Sequence, residues 1–134
     1  MLVLDASITL AWAYVEESGR PDAVIDHVVA NGARVPAHWI LEVTNTLIVG
    51  ERRGRLKSGK WQQLLVEIAA LPIEADSETS ERGWDLIPAL AEQFRLTCYD
   101  AAYLELAIRL DAPLATLDQD LARAAREAGV PLFN

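Results

Sequence analysis

Thiols and imidazoles are scarce in this sequence, which has one cysteine and two histidines among 134 residues. The single cysteine, Cys98, has no partner for an internal disulfide, and such cysteine usage is typical of proteins of the reducing cytoplasm. The two histidines, His27 and His38, lie too far apart in sequence to indicate a pair of metal ligands, and no zinc motif is present. The sequence therefore predicts a cytoplasmic protein and gives no sign of a zinc site.

Several other features that would define a class are also absent. The sequence has no P-loop, no dinucleotide-binding glycine pattern, no internal repeat and no apolar run long enough to span a membrane. Its first residues lack a basic segment, and Asp5 interrupts their apolar stretch, so we expect no signal peptide. Basic residues are the minority, and the net charge of -8 argues against a general nucleic-acid binder.

Short apolar runs alternate with amphipathic segments along the whole chain. Hydrophobic residues make up 51% and charged residues 24%, which is typical of a globular chain, and the length fits one domain over 1–134. The predicted strands cover 2–5, 33–36, 72–75, 113–116 and 130–133. The predicted helices cover 6–15, 21–29, 38–53, 58–71, 77–94, 97–110 and 118–129, with a kink or break at Pro88. This alternation predicts an α/β fold, a three-layer α/β/α domain around a parallel sheet of four to five short strands.

Four acidic residues stand where predicted elements meet the carboxyl edge of that sheet. Asp5 follows the first strand, Asp118 follows the fourth, and Glu42 and Asp100 lie near the starts of their helices. Each acid also has a structural explanation. A helix cap would account for Asp5, for Asp118 and for Asp100 together with Thr97. The positive end of a helix would account for Glu42. If strands one and four are neighbours, the four acids instead converge at the crevice where the winding of the sheet reverses.

Converging carboxylates repel one another strongly unless cations join them. Oxygen ligands without histidine or cysteine favour Mg²⁺ or Mn²⁺. Such ions lower the pKa of a bound water and steady a phosphate during an in-line displacement. The residues alone therefore lead to the hypothesis of metal-assisted hydrolysis of a phosphodiester.

Four blocks of the sequence, in this order, resemble the PIN-domain ribonucleases, and more narrowly the VapC toxins of bacterial and archaeal toxin–antitoxin pairs. The blocks are Leu4-Asp5-Ala6-Ser7, Glu42-Val43-Thr44-Asn45, the run from Leu96 to Tyr103, and Thr116-Leu117-Asp118. The resemblance implies a catalytic, metal-binding set of Asp5, Glu42, Asp100 and Asp118. It further implies polar supports at Ser7, Asn45 and Thr116, with Asp120 as an additional acid.

The same resemblance implies the chemistry and the partners. The family cleaves RNA endonucleolytically with Mg²⁺ or Mn²⁺ and leaves a 5′-phosphate and a 3′-hydroxyl. A homodimer and a cognate antitoxin that blocks the site are also implied.

A cluster of basic residues follows the long central helix and has two readings. It consists of Arg52, Arg53, Arg55 and Lys57, with Lys60 close behind. These residues would contact the phosphate backbone of RNA, or they would only be solvated cations at a helix C-terminus.

Aromatic residues and the cysteine have mainly structural explanations. The tryptophans are expected in core or dimer packing, Tyr99 and Tyr103 in the core unless one lines the site, and Cys98 as a small buried hydrophobe.

Other functional classes fit the sequence less well. A haloacid-dehalogenase-like phosphatase needs a second Asp two residues after the first, where this chain has Ser7. A response-regulator receiver has an acidic pair after its first strand and a phospho-accepting Asp after its third strand. This chain does not match that pattern convincingly. Arg20 and His27 loosely match the Arg–His motif of the all-helical HEPN ribonucleases, but alternating strands argue against that fold. A non-catalytic interaction module on the same fold remains an open alternative.

Overall fold

Short strands and helices alternate through the part of the chain that the structure, a computed structural model, describes, which is residues 1–14 and 22–133. The strands are β1 (Leu2–Leu4), β2 (Ala33–Val35), β3 (Ile73–Ala75) and β4 (Leu114–Ala115). The helices are α1 (Ala6–Ala13), α2 (Asp22–Asn31), α3 (Trp39–Arg52), α4 (Lys60–Ala69), α5 (Thr79–Arg82), α6 (Leu86–Phe94), α7 (Cys98–Leu110) and α8 (Gln119–Glu127). The α/β prediction is confirmed, with most boundaries within a few residues. The predicted helix start at Pro21 lies outside the described residues, as does Arg20.

The four strands form one sheet in the order β3-β2-β1-β4, and all three pairings are parallel. Leu4 of β1 pairs with Ala115 of β4, and the amide of Asp5 donates to the carbonyl of Ala115 at 3.0 Å. Because β2 and β4 lie on opposite sides of β1, the winding reverses between β1 and β4, as the acid hypothesis required. The predicted strand over 130–133 is reduced to an isolated bridge between Leu114 and Leu132.

The sheet lies between two groups of helices, with β1 and β4 buried and the edge strand β3 partly exposed. Helices α2, α1, α3 and α4 pack in succession as one group, and α6, α7 and α8 pack as the other. Leu2, Val3 and Leu4 are each 0% exposed, which explains why β1 is a continuous apolar run instead of an alternating one. Among the described helices, none combines the length and the apolar character that crossing a membrane would need.

The predicted helix over 77–94 breaks earlier than expected. The break falls at 83–85, between α5 and α6. Pro88 lies in the first turn of α6 and does not interrupt that helix. An N–H in the first turn of a helix has no carbonyl partner within the helix, so proline costs little there. Asp85 begins α6 by accepting a hydrogen bond from the Leu86 amide at 2.6 Å.

The apolar pattern predicts a buried face of α3 made of Ile40, Leu41, Val43, Leu47 and Ile48, and the structure differs in part. Trp39, Val43 and Leu47 are buried, whereas Ile40 and Leu41 are 40% and 69% exposed. The start of α3 is apolar on several sides, so the periodicity alone did not identify the side that packs on the sheet.

Three residues lie at the surface instead of in the core. The predicted burial of Cys98 is wrong, whereas dimer packing for Trp84 and a place beside the site for Tyr99 stay open. Trp84, between α5 and α6, is 89% exposed, and Tyr99 is 67% exposed. Cys98 is exposed as well, because the first turn of α7 projects at the edge of the domain. Trp39 and Tyr103 are buried as predicted, and Trp12 and Trp61 pack partly buried against the core.

A buried ion cluster links the end of β3 to α7. The Arg109 guanidinium donates to both carboxylate oxygens of Asp76 at 3.1 and 2.7 Å and to Glu105 at 2.9 and 3.1 Å. It also donates to Glu78 at 3.0 Å. The hydrogen bonds from Arg109 outweigh burial and hold the pKa of Asp76 below its usual range. The side chains of Asp76 and Glu105 are only 7% and 5% exposed, so the charge of each is compensated by the Arg109 guanidinium more than by solvent.

Candidate active site

Asp5 stands at the carboxyl end of β1 and is 5% exposed. One of its oxygens, Oδ2, accepts hydrogen bonds from Ser7 Oγ at 2.6 Å and Thr116 Oγ1 at 2.7 Å. Asp5 occupies the N-cap position of α1, but its side chain makes no capping hydrogen bond, so the capping explanation for this carboxylate is wrong. Its second oxygen, Oδ1, accepts no hydrogen bond from the residues that the structure describes.

The two hydroxyls on Asp5 are themselves oriented by the loop that follows β4. Ser7 Oγ accepts from the Leu117 amide at 3.0 Å, and Thr116 Oγ1 accepts from the Asp118 amide at 3.0 Å. Because each hydroxyl receives an N–H, its own proton is directed at Asp5. The Ser7–Leu117 and Thr116–Asp5 hydrogen bonds join residues 110 and 111 apart in sequence and hold the start of α8 beside the start of α1.

Asp118 caps α8, as the sequence predicts. Its Oδ1 accepts from the Leu121 amide at 2.9 Å. Its Oδ2 makes no hydrogen bond within residues 1–14 and 22–133. Capping therefore occupies one oxygen of this carboxylate and leaves the other available, so the structural explanation and a functional one are compatible.

Glu42 lies in the first turn of α3 and is held through one oxygen. Tyr103 donates its hydroxyl to Oε1 at 2.6 Å, and Nε2 of His38 lies 3.2 Å from the same oxygen. Burial alone would raise the pKa of Glu42, but the hydrogen bonds from His38 and Tyr103 lower it overall. No described residue donates to Oε2.

Sequence reasoning missed both partners of Glu42. The spacing of His38 and Glu42, four residues apart on one helix, was a usable signal. Tyr103 was expected in the core unless it or Tyr99 lined the site, and nothing local to it indicates a partner 61 residues away.

Asp100 lies in the first turn of α7, where the Thr97 hydroxyl caps the helix by accepting from the Asp100 amide at 3.1 Å. Burial raises the pKa of the Asp100 carboxyl to about 6, with further contributions from the charges of Asp118, Asp5, Glu42 and Asp120. Its own carboxylate accepts no hydrogen bond from the described residues. The predicted acids therefore share one electrostatic field.

The pKa of Asp5 also responds to the charges of the neighbouring acids. Burial raises it most, the hydrogen bonds from Ser7 and Thr116 lower it, and the charges of Glu42 and Asp118 raise it further. The net shift is upward, so the ionised carboxylate is disfavoured where it stands. A cation is the charge that would reverse this penalty.

The donor set fits a hard divalent cation in chemistry and charge. Three of the four carboxylates hold one oxygen on the protein and leave the other available, and Asp100 leaves both. The described residues contain no group of three or more Asp, Glu, His or Cys side chains already spaced to coordinate one ion. Coulomb interactions act over much longer distances than the roughly 2.0–2.1 Å of a magnesium–oxygen bond. The acids of the described residues thus act on one another as charges without being spaced to coordinate one ion as they stand.

The remaining predicted residues lie around this set or away from it. Asn45 is exposed, makes no side-chain hydrogen bond with another described residue, and faces an open groove of about 530 Å³. The groove is lined by His38, Leu41, Glu42, Thr44, Asn45, Ile48 and Tyr99. Asp120 is exposed in the first turn of α8 and reaches Asp100 only through its charge.

The basic cluster lies at the far end of α3 from the acids. Arg52, Arg53, Arg55 and Lys57 are exposed around the turn that joins α3 to α4. Ten residues of helix separate Glu42 from Arg52, or about 15 Å along the axis. The Arg55 guanidinium stacks 4.6 Å from the ring centre of Tyr14. The structure therefore does not bring this cluster onto the acidic site.

Comparisons with known proteins agree with this architecture. Residues 2–127 match the PIN domain family model. The chain is 33% identical over 125 residues to Ribonuclease VapC3 of Pyrobaculum aerophilum, covering 90% of this chain and 92% of that protein. It superposes on the crystal structure of PAE2754 from Pyrobaculum aerophilum with a TM-score of 0.68 at 24% identity, covering 92% and 83% of the two chains. It superposes on FitAcB from Neisseria gonorrhoeae with a TM-score of 0.60 at 19% identity, covering 100% and 97%. The fold, the order of the motifs and the relatives together show that this chain belongs to the PIN domain family and is a relative of the VapC ribonucleases.

Proposed function

We propose that this chain is a Mg²⁺- or Mn²⁺-dependent endoribonuclease that acts as the toxin of a type II toxin–antitoxin pair, with 1–134 as a single PIN-like domain. One observation carries the proposal. Four carboxylates from β1, α3, α7 and the start of α8 act on one another electrostatically, and each keeps at least one oxygen available. Burial raises the pKa of Asp100 to about 6, and the charges of the other three acids add to that shift. The relative of 33% identity that is named a ribonuclease supports the same activity.

The residues that would hold the cation are Asp5, Glu42, Asp100 and Asp118. When bound, Mg²⁺ or Mn²⁺ would activate a water as nucleophile and neutralise the charge that develops on the phosphodiester. The protein's contribution is to restrict the carboxylates that would bind the ion. Ser7 and Thr116 immobilise Asp5 through Oδ2, and the helix cap immobilises Asp118 through Oδ1. Fixing one oxygen of a carboxylate limits the positions of the other.

The surface around the acids suits a strand of RNA better than a small molecule. The groove past Glu42 is open, so a phosphodiester within a longer chain would reach the site without threading an end. The chain carries a net charge of -8, so phosphates need local compensation. The divalent cation would supply it at the cleaved bond, and the exposed residues Arg52, Arg53, Arg55 and Lys57 would contact the backbone beyond it, with Arg52 about 15 Å from Glu42 along α3.

Partners and compartment follow from the kinship with VapC and from the proposed substrate. We assign the chain a cytoplasmic location, a homodimeric state and a cognate antitoxin that covers the acidic site. A free, exposed Cys98 fits the reducing cytoplasm.

Cleavage of mixed single-stranded RNAs by the purified chain tests the activity. With Mg²⁺ or Mn²⁺ we expect internal cuts whose products carry a 5′-phosphate and a 3′-hydroxyl, and we expect EDTA to abolish them. Cleavage that persists in EDTA would exclude the metal mechanism. Binding of RNA without any cleavage across several divalent ions would favour the non-catalytic module instead.

Metal addition should also stabilise the native chain. At a concentration of about 100 times Kd, a bound ion adds roughly 2.7 kcal/mol, which corresponds to a rise in Tm of about 8 °C for a domain of this size. Differential scanning fluorimetry with Mn²⁺ measures the shift. Asp100→Asn should remove most of it, whereas Asp111→Asn, an exposed position at the other end of α7, should keep it. An equal shift in wild type and Asp100→Asn would show that the ion binds elsewhere.

A further inference from the structure

Helices α3 and α7 meet at their N-terminal turns through two pairs of residues. His38 and Glu42 lie four residues apart at the start of α3, and Tyr99 and Tyr103 lie four residues apart at the start of α7. The Tyr103 hydroxyl donates to Glu42 Oε1 at 2.6 Å, and His38 Nε2 lies 3.1 Å from the Tyr99 carbonyl and 3.2 Å from Glu42 Oε1. The two contacts between these helices each join residues 61 apart in sequence.

The partners of His38 determine which ring nitrogen carries hydrogen. A backbone carbonyl accepts only, and the carboxylate oxygen of Glu42 already accepts from Tyr103. Nε2 must therefore be the N–H that faces both oxygens. The His38 ring is further held by the rings of Tyr103 and Tyr99, whose centres lie 5.5 and 5.8 Å away. The orientation of the His38 ring is thus restricted by Glu42, Tyr99 and Tyr103.

Tyr103 places a hydrogen-bond donor, its hydroxyl, in the core, where packing alone would not require a donor. Its side chain is 0% exposed, so a phenylalanine would fill the same space. Its hydroxyl instead makes a short hydrogen bond to a charged acceptor, which is the stronger class of hydrogen bond. Both donors engage the same oxygen, Oε1, so they restrict the carboxylate and leave Oε2 available.

We propose that His38 and Tyr103 are positioning residues that fix Glu42 through Oε1 and so aim its Oε2 at the divalent cation. This inference rests on the proposed function, because it assigns the two residues a role in the metal site of the proposed nuclease. Outer partners of this kind change metal affinity by about 10- to 100-fold when they are removed. Both residues would act on the ion through Glu42.

Titration of Mn²⁺ into the metal-free protein, followed by calorimetry or by the electron paramagnetic resonance signal of free Mn²⁺, tests the role without relying on cleavage. We expect Tyr103→Phe to weaken Mn²⁺ binding by about tenfold or more. Tyr14→Phe is the matched control, because Tyr14 is also buried and its hydroxyl donates to the Thr46 carbonyl of α3 at 3.2 Å. Its affinity for Mn²⁺ should equal that of wild type.

Variants of His38 provide a second arm if Tyr103→Phe fails to fold. His38→Phe removes the N–H and keeps a ring, whereas His38→Gln restores an N–H donor. We expect weaker Mn²⁺ binding in His38→Phe and recovery towards wild type in His38→Gln.

The outcomes separate the two proposals. Wild-type affinity in both Tyr103→Phe and His38→Phe would overturn the positioning role and leave the proposed nuclease intact. A wild-type chain that binds no Mn²⁺ at all would overturn the metal-dependent nuclease and the positioning role with it. Equal weakening in Tyr103→Phe and Tyr14→Phe would reduce the effect to a general loss of packing and overturn the positioning role alone.

Discussion

Asp5→Asn should reduce metal-dependent RNA cleavage about a thousandfold or more while the fold stays intact. Electrophilic and charge stabilisation by a metal contributes several kcal/mol to the transition state, and each 1.4 kcal/mol corresponds to a factor of ten in rate. In the asparagine variant the carbonyl oxygen would take the place of Oδ2 and still accept from Ser7 and Thr116. The amide nitrogen would then occupy the place of Oδ1, where it cannot bind a cation.

The fold of this variant should be at least as stable as that of wild type without metal. The pKa of Asp5 is raised, so its ionised form is disfavoured in the native state at neutral pH, and a neutral amide removes that penalty. Urea unfolding in EDTA measures this, alongside initial cleavage rates in Mn²⁺. Asp26→Asn, at an exposed position on α2, is the control and should cleave as wild type does. Full activity in Asp5→Asn would remove Asp5 from the site.

Arg109→Met should cost about 3–5 kcal/mol of folding stability, the usual loss when one partner of a buried ion pair is removed. Methionine keeps much of the aliphatic stem, so the change mainly removes the charge. Asp76 and Glu105 would then be buried without the guanidinium that both now contact. Urea unfolding with linear extrapolation measures the loss.

The pH dependence of this loss identifies its origin. The lowered pKa of Asp76 contributes stability that is present above its ordinary value, near 3.9, and is lost as the pH falls through its native value. The deficit of Arg109→Met should therefore be largest near pH 7 and should shrink below about pH 4. Arg34→Met is the control, because the Arg34–Glu74 pair at 3.1 Å is exposed and should contribute less than about 1 kcal/mol. A loss as small as the control's would show that the cluster adds little stability.

Local patterns in the sequence were sufficient for the fold class and for the identity of the acids. The apolar run of β1, the alternation of strands and helices, and the capping roles of Thr97 and Asp118 depend on neighbours within a few residues. Such interactions leave a visible periodicity or motif. Local patterns failed where a segment was apolar on several sides, as at Leu41, or where Pro88 fell in a first turn that tolerates it.

The sequence by itself determined which acids this protein carries, and on which elements, but the tertiary structure alone decided how they are used. Pairing of β4 with β1 brings Thr116 to Asp5 across 111 residues, and the meeting of α3 with α7 brings Tyr103 to Glu42 across 61. These contacts depend on which surfaces pack together, and no short-range spacing encodes that choice. The same packing assigns one oxygen of Asp5, Glu42 and Asp118 to the protein and leaves the other available for a cation.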